Sequence, residues 1–391
     1  MVGLFCTNLF GQRMYHTMPC VPCILSTWKK YGEPMVVFDG YESGPTIKDA
    51  AHIRRKTKSS KTILFKPDMI FNGKKDEFLS SANNKQRFIN LLSDHIKEEG
   101  MVALHASSDA DTLIVETAVE VAKTQESCIV GDDTDLLIIA LDKTMKAGEK
   151  IKSIYLNNEK KKTSNKQDRI WHIKKLVQVL GEKSNHILFT HAFLGCDTTS
   201  HPYGIGKQQS LKLLENKEFI DAAKFFGRGD STKAEIEQAT EQCFLLLYKA
   251  PSNVKTLNEL RYIKFVEKVS GKLTAVLPQT LPPTSNAAKY HGWRVYFQVR
   301  EWSGVHGLVP EEWGWTLRNG KLLPRTTDKA PAPENLLAII QGNCKGKCDK
   351  GLSTCRKHGL PCSYACGTCK GRSCENREEI DFFTDDSDEE T

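Results

Sequence analysis

The sequence predicts an α/β fold, in which a parallel sheet flanked by helices is followed by a helical region and a small cysteine-rich module. Short apolar runs rich in β-branched residues alternate with amphipathic segments, a pattern typical of strands and crossover helices. Acidic residues follow several of these runs, where the carboxyl ends of parallel strands would meet. Seven cysteines also fall between residues 344 and 374, in a stretch too poor in apolar residues to form a core.

The totals bound the class of protein. The chain has 391 residues, enough for two or three structural units, and a hydrophobic share of 39% can supply one real core. No apolar run approaches the ~20 residues that a membrane span needs, and no compact signal-peptide stretch opens the chain. We therefore expect a reducing compartment, the nucleus in preference to the cytosol, where the 13 cysteines are metal ligands or free thiols.

Charge is distributed unevenly along the chain. The formal net charge is +7, but the tail 377–391 holds eight acidic residues against one Arg, which leaves 54 basic against 40 acidic residues in 1–376. A basic body with an acidic tail favours a polyanionic partner such as nucleic acid, for which the tail would compete. Ordinary solubilising charge is the alternative.

The first elements lead to one aspartate. Residues 1–34 show no clear periodicity and are interpreted as a leader in which the first strand is truncated; Cys20 and Cys23 form a lone CxxC, a weak metal signal. Met35–Phe38 predicts a buried strand that ends at Asp39. Residues 48–58, basic and with apolar positions at helical spacing, predict a helix near that strand end.

Two further strand ends are acidic. Residues 83–99 predict an amphipathic helix and 101–106 a strand, after which Asp109 and Asp111 open a helix to residue 121. In the stretch 128–141 a buried strand is followed by Asp132, Asp133 and Asp135 and a second apolar run. Carboxylates between core segments repel each other unless a cation lies among them. An acidic surface turn with helix-capping aspartates is the alternative.

The remaining segments are less distinctive. Residues 159–168 predict a mobile loop, 170–180 a helix, and 186–194 an apolar element closed by Asp197. Gly204, Gly206 and Lys207 precede a helix, where backbone N–H groups would receive a phosphate or simply form a tight turn. Residues 216–276 predict a helical extension. The connector 277–341 is interpreted as a Pro-rich linker at 277–283 and a small separate core of tryptophans.

Six carboxylates at strand ends or strand–helix junctions would therefore share one edge of the sheet: Asp39, Asp109, Asp111, Asp133, Asp135 and Asp197. Hard oxygen ligands of this number suit Mg²⁺ or Mn²⁺. Two such ions ~3.5–4 Å apart would polarise a phosphodiester, generate a nucleophile from water and stabilise the leaving oxygen.

In order and context, these motifs resemble the flap-endonuclease or XPG-like branch of the PIN-like nucleases over residues 35–215. The resemblance implies a PIN-like (5′-nuclease) sheet and a structure-specific nuclease acting on flaps or junctions, with DNA favoured. It implies metal-ligand roles for the six aspartates and contacts of Lys48 and Arg55 with the scissile phosphate. Gly204-Ile-Gly206-Lys207 resembles the family's helix-two-turn-helix, which holds duplex DNA.

One family feature is missing. The family carries another catalytic aspartate on its first strand, whereas residues 1–38 contain no Asp. Either the chain is truncated at its amino terminus or its catalytic centre is degenerate.

The cysteine module predicts bound zinc, because so small a segment of Gly, Lys and Ser needs metal to hold it. Its spacing resembles tesmin-type CXC domains, in which thiolates bridge several zinc ions and basic residues face DNA, although Gly342 and Ser353 replace two usual cysteines. His358 is either a ligand or a surface residue. The predicted ligands are Cys344, Cys348, Cys355, Cys362, Cys366, Cys369 and Cys374.

The predicted organisation is a leader (1–34), a nuclease-like core (35–215), a helical extension (216–276), a connector (277–341), a zinc cluster (342–376) and an acidic tail (377–391). The whole arrangement resembles invertebrate, mobile-element-associated proteins that carry the segment 195–200, which assigns no reaction. Three functions fit it: a divalent-metal-dependent nuclease, a catalytically degenerate nucleic-acid-binding protein that docks through zinc, and a protein-interaction module with merely solvated charges.

Overall fold

The structure is a computed structural model that divides into two compact units, Met1–Thr326 and Thr327–Thr391, and each is described by itself. It describes residues 2–6, 21–29, 32, 34–40, 44–55, 63–64, 66–69, 78, 81–106, 109–158, 169–206, 212–270, 276–329, 354–357, 361–362, 366, 369 and 374–376.

A six-stranded sheet forms the centre of the first unit. Its strands are β1 (Val2–Cys6), β2 (Met35–Phe38), β3 (Val102–His105), β4 (Ser127–Val130), β5 (Ile154–Asn158) and β6 (Arg169–His172). The spatial order is β3-β2-β1-β4-β5-β6, with five parallel strands and an antiparallel edge strand β6. The strand order reverses between β1 and β4, and open α/β sheets bind ligands at such a switch point.

Helices cover both faces of this sheet. The helices of this region are α1 (Val21–Lys29), α2 (Asp49–Arg55), α3 (Ala82–Glu98), α4 (Ala110–Ala122), α5 (Thr134–Ala147), α6 (Ile173–Leu180) and α7 (Ile187–Leu194). Val36 and Phe38 pack into one apolar cluster and Val37 into another, because successive side chains of a strand point to opposite faces. The predicted α/β fold class, a parallel sheet flanked by helices, is thereby confirmed.

A helical region and a hairpin complete the first unit. Its elements are α8 (Lys217–Gly227), α9 (Lys233–Leu247), α10 (Leu257–Ser270), α11 (Ser285–Trp302), β7 (Trp315–Arg318) and β8 (Lys321–Pro324). Trp302, Trp313 and Trp315 lie in the same buried cluster as Ile129 of β4, so they form no separate core. Arg261 donates to the carbonyl of Pro278 at 3.2 Å, which ties the expected linker to α10. Among the described residues, no helix is long and apolar enough to cross a membrane.

Two expectations about local structure differ from the fold. Residues 2–6, assigned to a leader, form β1 at the centre of the sheet; a five-residue run containing Gly3 is too short to show a period. Residues 169–172 form β6 instead of a helix start, because α6 begins only at Ile173, where the His172 side chain caps it by accepting from the Lys175 N–H at 3.3 Å.

The described part of the second unit holds one helical turn, α12 (Thr354–Lys357), and a cluster of five buried cysteines.

Candidate metal centres

The carboxyl ends of the parallel strands bring five of the six predicted aspartates to one edge of the first unit, whereas Asp197, expected at a strand end or strand–helix junction, follows the helix α7. Asp39 follows β2 directly, and its carboxylate accepts from the Ala110 N–H, in the first turn of α4, at 3.4 Å. Asp133 follows β4 at the start of α5. A bond between residues 71 positions apart shows that the ends of β2 and β3 converge.

The capping alternative is correct for one of these aspartates and not for another. Asp133 occupies the N-cap of α5, and its side chain accepts from the Asp135 N–H at 3.0 Å. Asp109 occupies the N-cap of α4 but makes no capping bond. It bonds instead to the ammonium of Lys48 at 2.8 Å, with the two side chains 25% and 26% exposed. Asp109 therefore does not cap α4, and its carboxylate contributes to the pocket.

Two lysines enter the acidic pocket. Burial alone would lower the pKa of Lys48, but the charges of Asp109, Asp111 and Asp197 outweigh burial and raise it. Lys85 of α3 lies with its ammonium 3.7 Å from Asp39. Sequence reasoning missed Lys85, because a single basic residue on an amphipathic helix carries no signal of its own.

Burial and mutual repulsion disfavour ionisation of the carboxyl groups in the pocket. Burial raises the pKa of Asp109, Asp111 and Asp133. The charges of Asp39 and Asp135 raise the pKa of Asp109 further, and that of Asp197 raises the pKa of Asp133. Each of the six predicted aspartates thus either shifts the pKa of another member of the set or has its own pKa shifted by one, as in a single pocket.

A tight turn presents Asp197. Gly195, after α7, has a φ of +109°, and a Cβ at this position would lie 2.5 Å from Nδ1 of His201, so only glycine fits. The Cys196 N–H donates to Oγ1 of Thr199 at 3.0 Å, and that hydroxyl donates to the Ala192 carbonyl at 2.7 Å. The turn is therefore fixed on both sides of the aspartate.

The donor set fits a hard divalent cation, because its groups are partly buried carboxylates that a nearby charge would keep ionised. Nowhere in the described part of the chain do three carboxylates bring oxygens within 4.8 Å of one another, a spacing that the cysteines do reach. Lys48 bonds to Asp109 among them and neutralises part of their charge. An ion at Asp109 would therefore compete with this lysine.

Four predicted residues have less structural detail. Arg55 ends α2, but its side chain lies outside the described residues, as does Lys207. Gly204, with a φ of +75°, and Gly206 are exposed, and a Cβ on either would meet no atom within 4 Å. Their backbone is open to a ligand.

The first strand supplies no carboxylate to the edge. Cys6 pairs with Val37 of β2, and Phe5 pairs with Val130 of β4. The carboxyl end of β1 thus lies between the strand ends that carry Asp39 and Asp133, without an acid of its own.

The cysteines of the second unit form two groups of three that share one member. The thiols of Cys355, Cys362 and Cys366 lie within 4.8 Å of one another, as do those of Cys362, Cys369 and Cys374. The Cys369 and Cys374 sulfurs are 3.3 Å apart, too far for a disulfide.

The surroundings of the thiols suit a cation. Burial and the thiols of Cys362 and Cys366 raise the pKa of Cys355 to about 12, so the metal-free group stays protonated. The Asn376 amide also donates to the Cys362 sulfur at 3.4 Å. Cys344, Cys348 and His358 lie outside the described residues.

No protein-family model and no curated protein matches the chain. Among solved structures, the catalytic core of Rad2 in complex with DNA substrate is 14% identical, over 80% of this chain and 89% of that chain, with a TM-score of 0.37. Human GEN1 in complex with Holliday junction DNA is 11% identical, over 82% of this chain and 79% of that chain, also with a TM-score of 0.37. Similarity at these values assigns no function to the chain.

Proposed function

We propose that the first unit is a divalent-metal-dependent, structure-specific nuclease of the flap-endonuclease type, with a PIN-like sheet, which hydrolyses phosphodiesters in DNA flaps or junctions in the nucleus. The observation that carries the proposal is the convergence of six aspartates and Lys48 at the carboxyl edge of a parallel sheet. Such a set needs cations, and phosphodiesters are one substrate class that carboxylate-bound divalent ions activate.

In this proposal the six aspartates would hold one or two Mg²⁺ or Mn²⁺ ions, which supply a metal-activated water and stabilise the leaving oxygen. Lys48, placed by the loop before α2, would leave Asp109 for the non-bridging oxygens of the scissile phosphate and stabilise the charge that develops there. Arg55, at the end of the same helix, would assist it. The open backbone at Gly204 and Gly206, with Lys207, would contact duplex phosphates without reading sequence.

The second unit would bind zinc through its seven cysteines. Cys362 belongs to both described groups of three, so both groups would use its thiolate as a zinc ligand, in keeping with the resemblance to CXC-type clusters. Interleaved Lys and Arg would then dock the module on DNA.

A catalytically degenerate nucleic-acid-binding protein is the second candidate. The carboxyl end of β1 carries no acid, although this strand lies between β2 and β4, and Lys48 already neutralises part of the pocket. This candidate predicts salt-sensitive DNA binding without turnover, weakened mainly by zinc chelation.

The test is cleavage of a flapped duplex by purified full-length protein with Mn²⁺. We expect the wild type to cut near the junction and an Asp133→Ala/Asp135→Ala variant to lose at least about 100-fold in rate, because two ligands are removed. A matched Asp221→Ala variant, which removes an exposed carboxylate of α8, should cut like the wild type. Absence of cleavage by the wild type, or equal cleavage by the double variant, removes the enzyme proposal.

A further inference from the structure

A histidine that no sequence motif indicated bonds to one of the predicted ligands. Nε2 of His191, on α7, donates to Oδ1 of Asp135, on α5, at 2.7 Å. The two side chains are only 11% and 15% exposed, so water competes little for this bond. The contact joins two helices, and the two bonded residues are 56 positions apart in the chain.

The histidine ring is held on one face by an aromatic residue of α11. The ring of Trp302 stacks on that of His191 with centroids 5.8 Å apart and planes inclined by 29°. Trp302 itself is 2% exposed. Because α11 lies beyond residues 35–215, this support is not part of the nuclease-like region.

The same helix also supports the turn that presents Asp197. Oγ1 of Thr198 donates to Oε1 of Gln298 at 2.6 Å, and both residues are buried. Gln298 and Trp302 are four positions apart and therefore share one face of α11. One helix face thus contacts the immediate neighbours of two predicted ligands, Asp135 and Asp197.

We propose that His191 is a positioning residue for the metal centre, with α11 as its support. The inference rests on the proposed function. An N–H bond to one carboxylate oxygen restrains the rotamer of Asp135 and would leave its other oxygen available to hold a divalent ion. Outer partners of this kind change metal affinity by about 10–100-fold when removed. A histidine that only filled the core would change folding stability and leave metal affinity unaltered.

The experiment is titration of full-length, zinc-loaded protein with Mn²⁺ by calorimetry, followed by cleavage kinetics on a flapped duplex. His191→Leu, which removes the donor, should weaken Mn²⁺ binding by about 10–100-fold and lower kcat while KM for the duplex stays constant. His191→Gln keeps an N–H donor and should remain within a few-fold of the wild type. His306→Leu is the matched control, since His306 contacts Glu301 at 3.2 Å on an exposed surface.

His191→Asn, polar but too short to reach Asp135, is a second variant in case the leucine variant does not fold, and it should weaken Mn²⁺ binding similarly. Folded Leu or Asn variants that bind Mn²⁺ like the wild type would overturn the positioning role while leaving the proposed function intact. A wild type that binds no Mn²⁺ would overturn both, so the two failures are distinguishable.

Discussion

The negative charge of a carboxylate in the acidic pocket can be neutralised by a proton, by a lysine or by a bound metal ion. Asp111 is 4% exposed, and burial followed by the charge of Asp109 raises its pKa well above the ordinary value of 3.8. Lys48 opposes that rise. A carboxyl so placed is costly when ionised unless a cation binds, and this cost makes the metal-free protein sensitive to pH.

The direction of that sensitivity follows from linkage. The folded state holds the Asp111 proton more tightly than the unfolded chain, so stability falls as pH rises from 3.8 through the raised folded-state pKa. We therefore expect Asp111→Asn to raise the Tm of the metal-free protein at pH 7, on the order of 2 °C for each kcal/mol of penalty removed, and to flatten its decline with pH. Calorimetric scans between pH 5 and pH 8 measure both.

The control is Asp94→Asn, which changes an exposed carboxylate on α3 and should leave the melting curve unaltered. Added Mn²⁺ should reverse the ranking, because the wild type gains a ligand that the asparagine variant lacks. A metal-free Asp111→Asn protein that melts below the wild type across the whole pH range would show that Asp111 is not a buried, destabilising acid.

Among the elements, the β7–β8 hairpin positions the start of α2. The two residues of its turn, Asn319 and Gly320, have positive φ angles of 51° and 69°, as a type I′ hairpin turn requires. The outward N–H of Leu322 donates to Oδ2 of Asp49 at 2.9 Å, and the same carboxylate accepts from the Thr46 N–H at 3.0 Å. The hairpin thus fixes the loop on which Lys48 lies.

We expect Asp49→Ala to destabilise the first unit by about 1–3 kcal/mol, because the N–H groups of Thr46 and Leu322 lose their carboxylate acceptor. It should also weaken binding of a flapped duplex several-fold, because Lys48 loses its fixed position. Urea unfolding measures the loss of stability. Fluorescence anisotropy, with Ca²⁺ as the added divalent ion, measures the affinity for the flapped duplex. An Asp49→Asn variant keeps one oxygen acceptor, so its stability and duplex affinity should lie between those of the wild type and of Asp49→Ala. Duplex affinity equal to that of the wild type, in a folded Asp49→Ala protein, would contradict the link between hairpin and lysine.

How far the elements could be predicted from sequence depends on whether the signal was local. Met35–Phe38 and Ser127–Val130 were predictable, since a buried β-branched run followed by Asp is informative alone. Asn319-Gly320 is also a local signal, since Asn-Gly between two apolar runs favours a two-residue hairpin. The docking of α11 and the hairpin on the acidic pocket depends on contacts such as Leu322–Asp49, 273 positions apart, which no periodicity reveals.

For the whole molecule, local sequence signals predict the aspartates of the pocket but not the residues that contact them from other helices. Five of the six aspartates were predictable because each follows a strand, and parallel topology collects those ends at one edge, whereas Asp197 follows the helix α7. Lys85 and His191 were not, because a lone basic or imidazole side chain on a helix most often has a local structural role. The clustering of the cysteines was predictable from their spacing, but the sharing of Cys362 by two groups appears only in three dimensions.

The chain gathers distant carboxylates into one pocket, which we propose that divalent cations occupy. Mn²⁺ titration of full-length, zinc-loaded protein, followed by calorimetry and by the electron paramagnetic resonance signal of bound Mn²⁺, tests this proposal most directly. We expect one or two bound ions, lost in an Asp109→Asn/Asp135→Asn variant and retained in Asp94→Asn. Equal Mn²⁺ binding by the wild type and the double variant, or none by the wild type, would contradict the proposal.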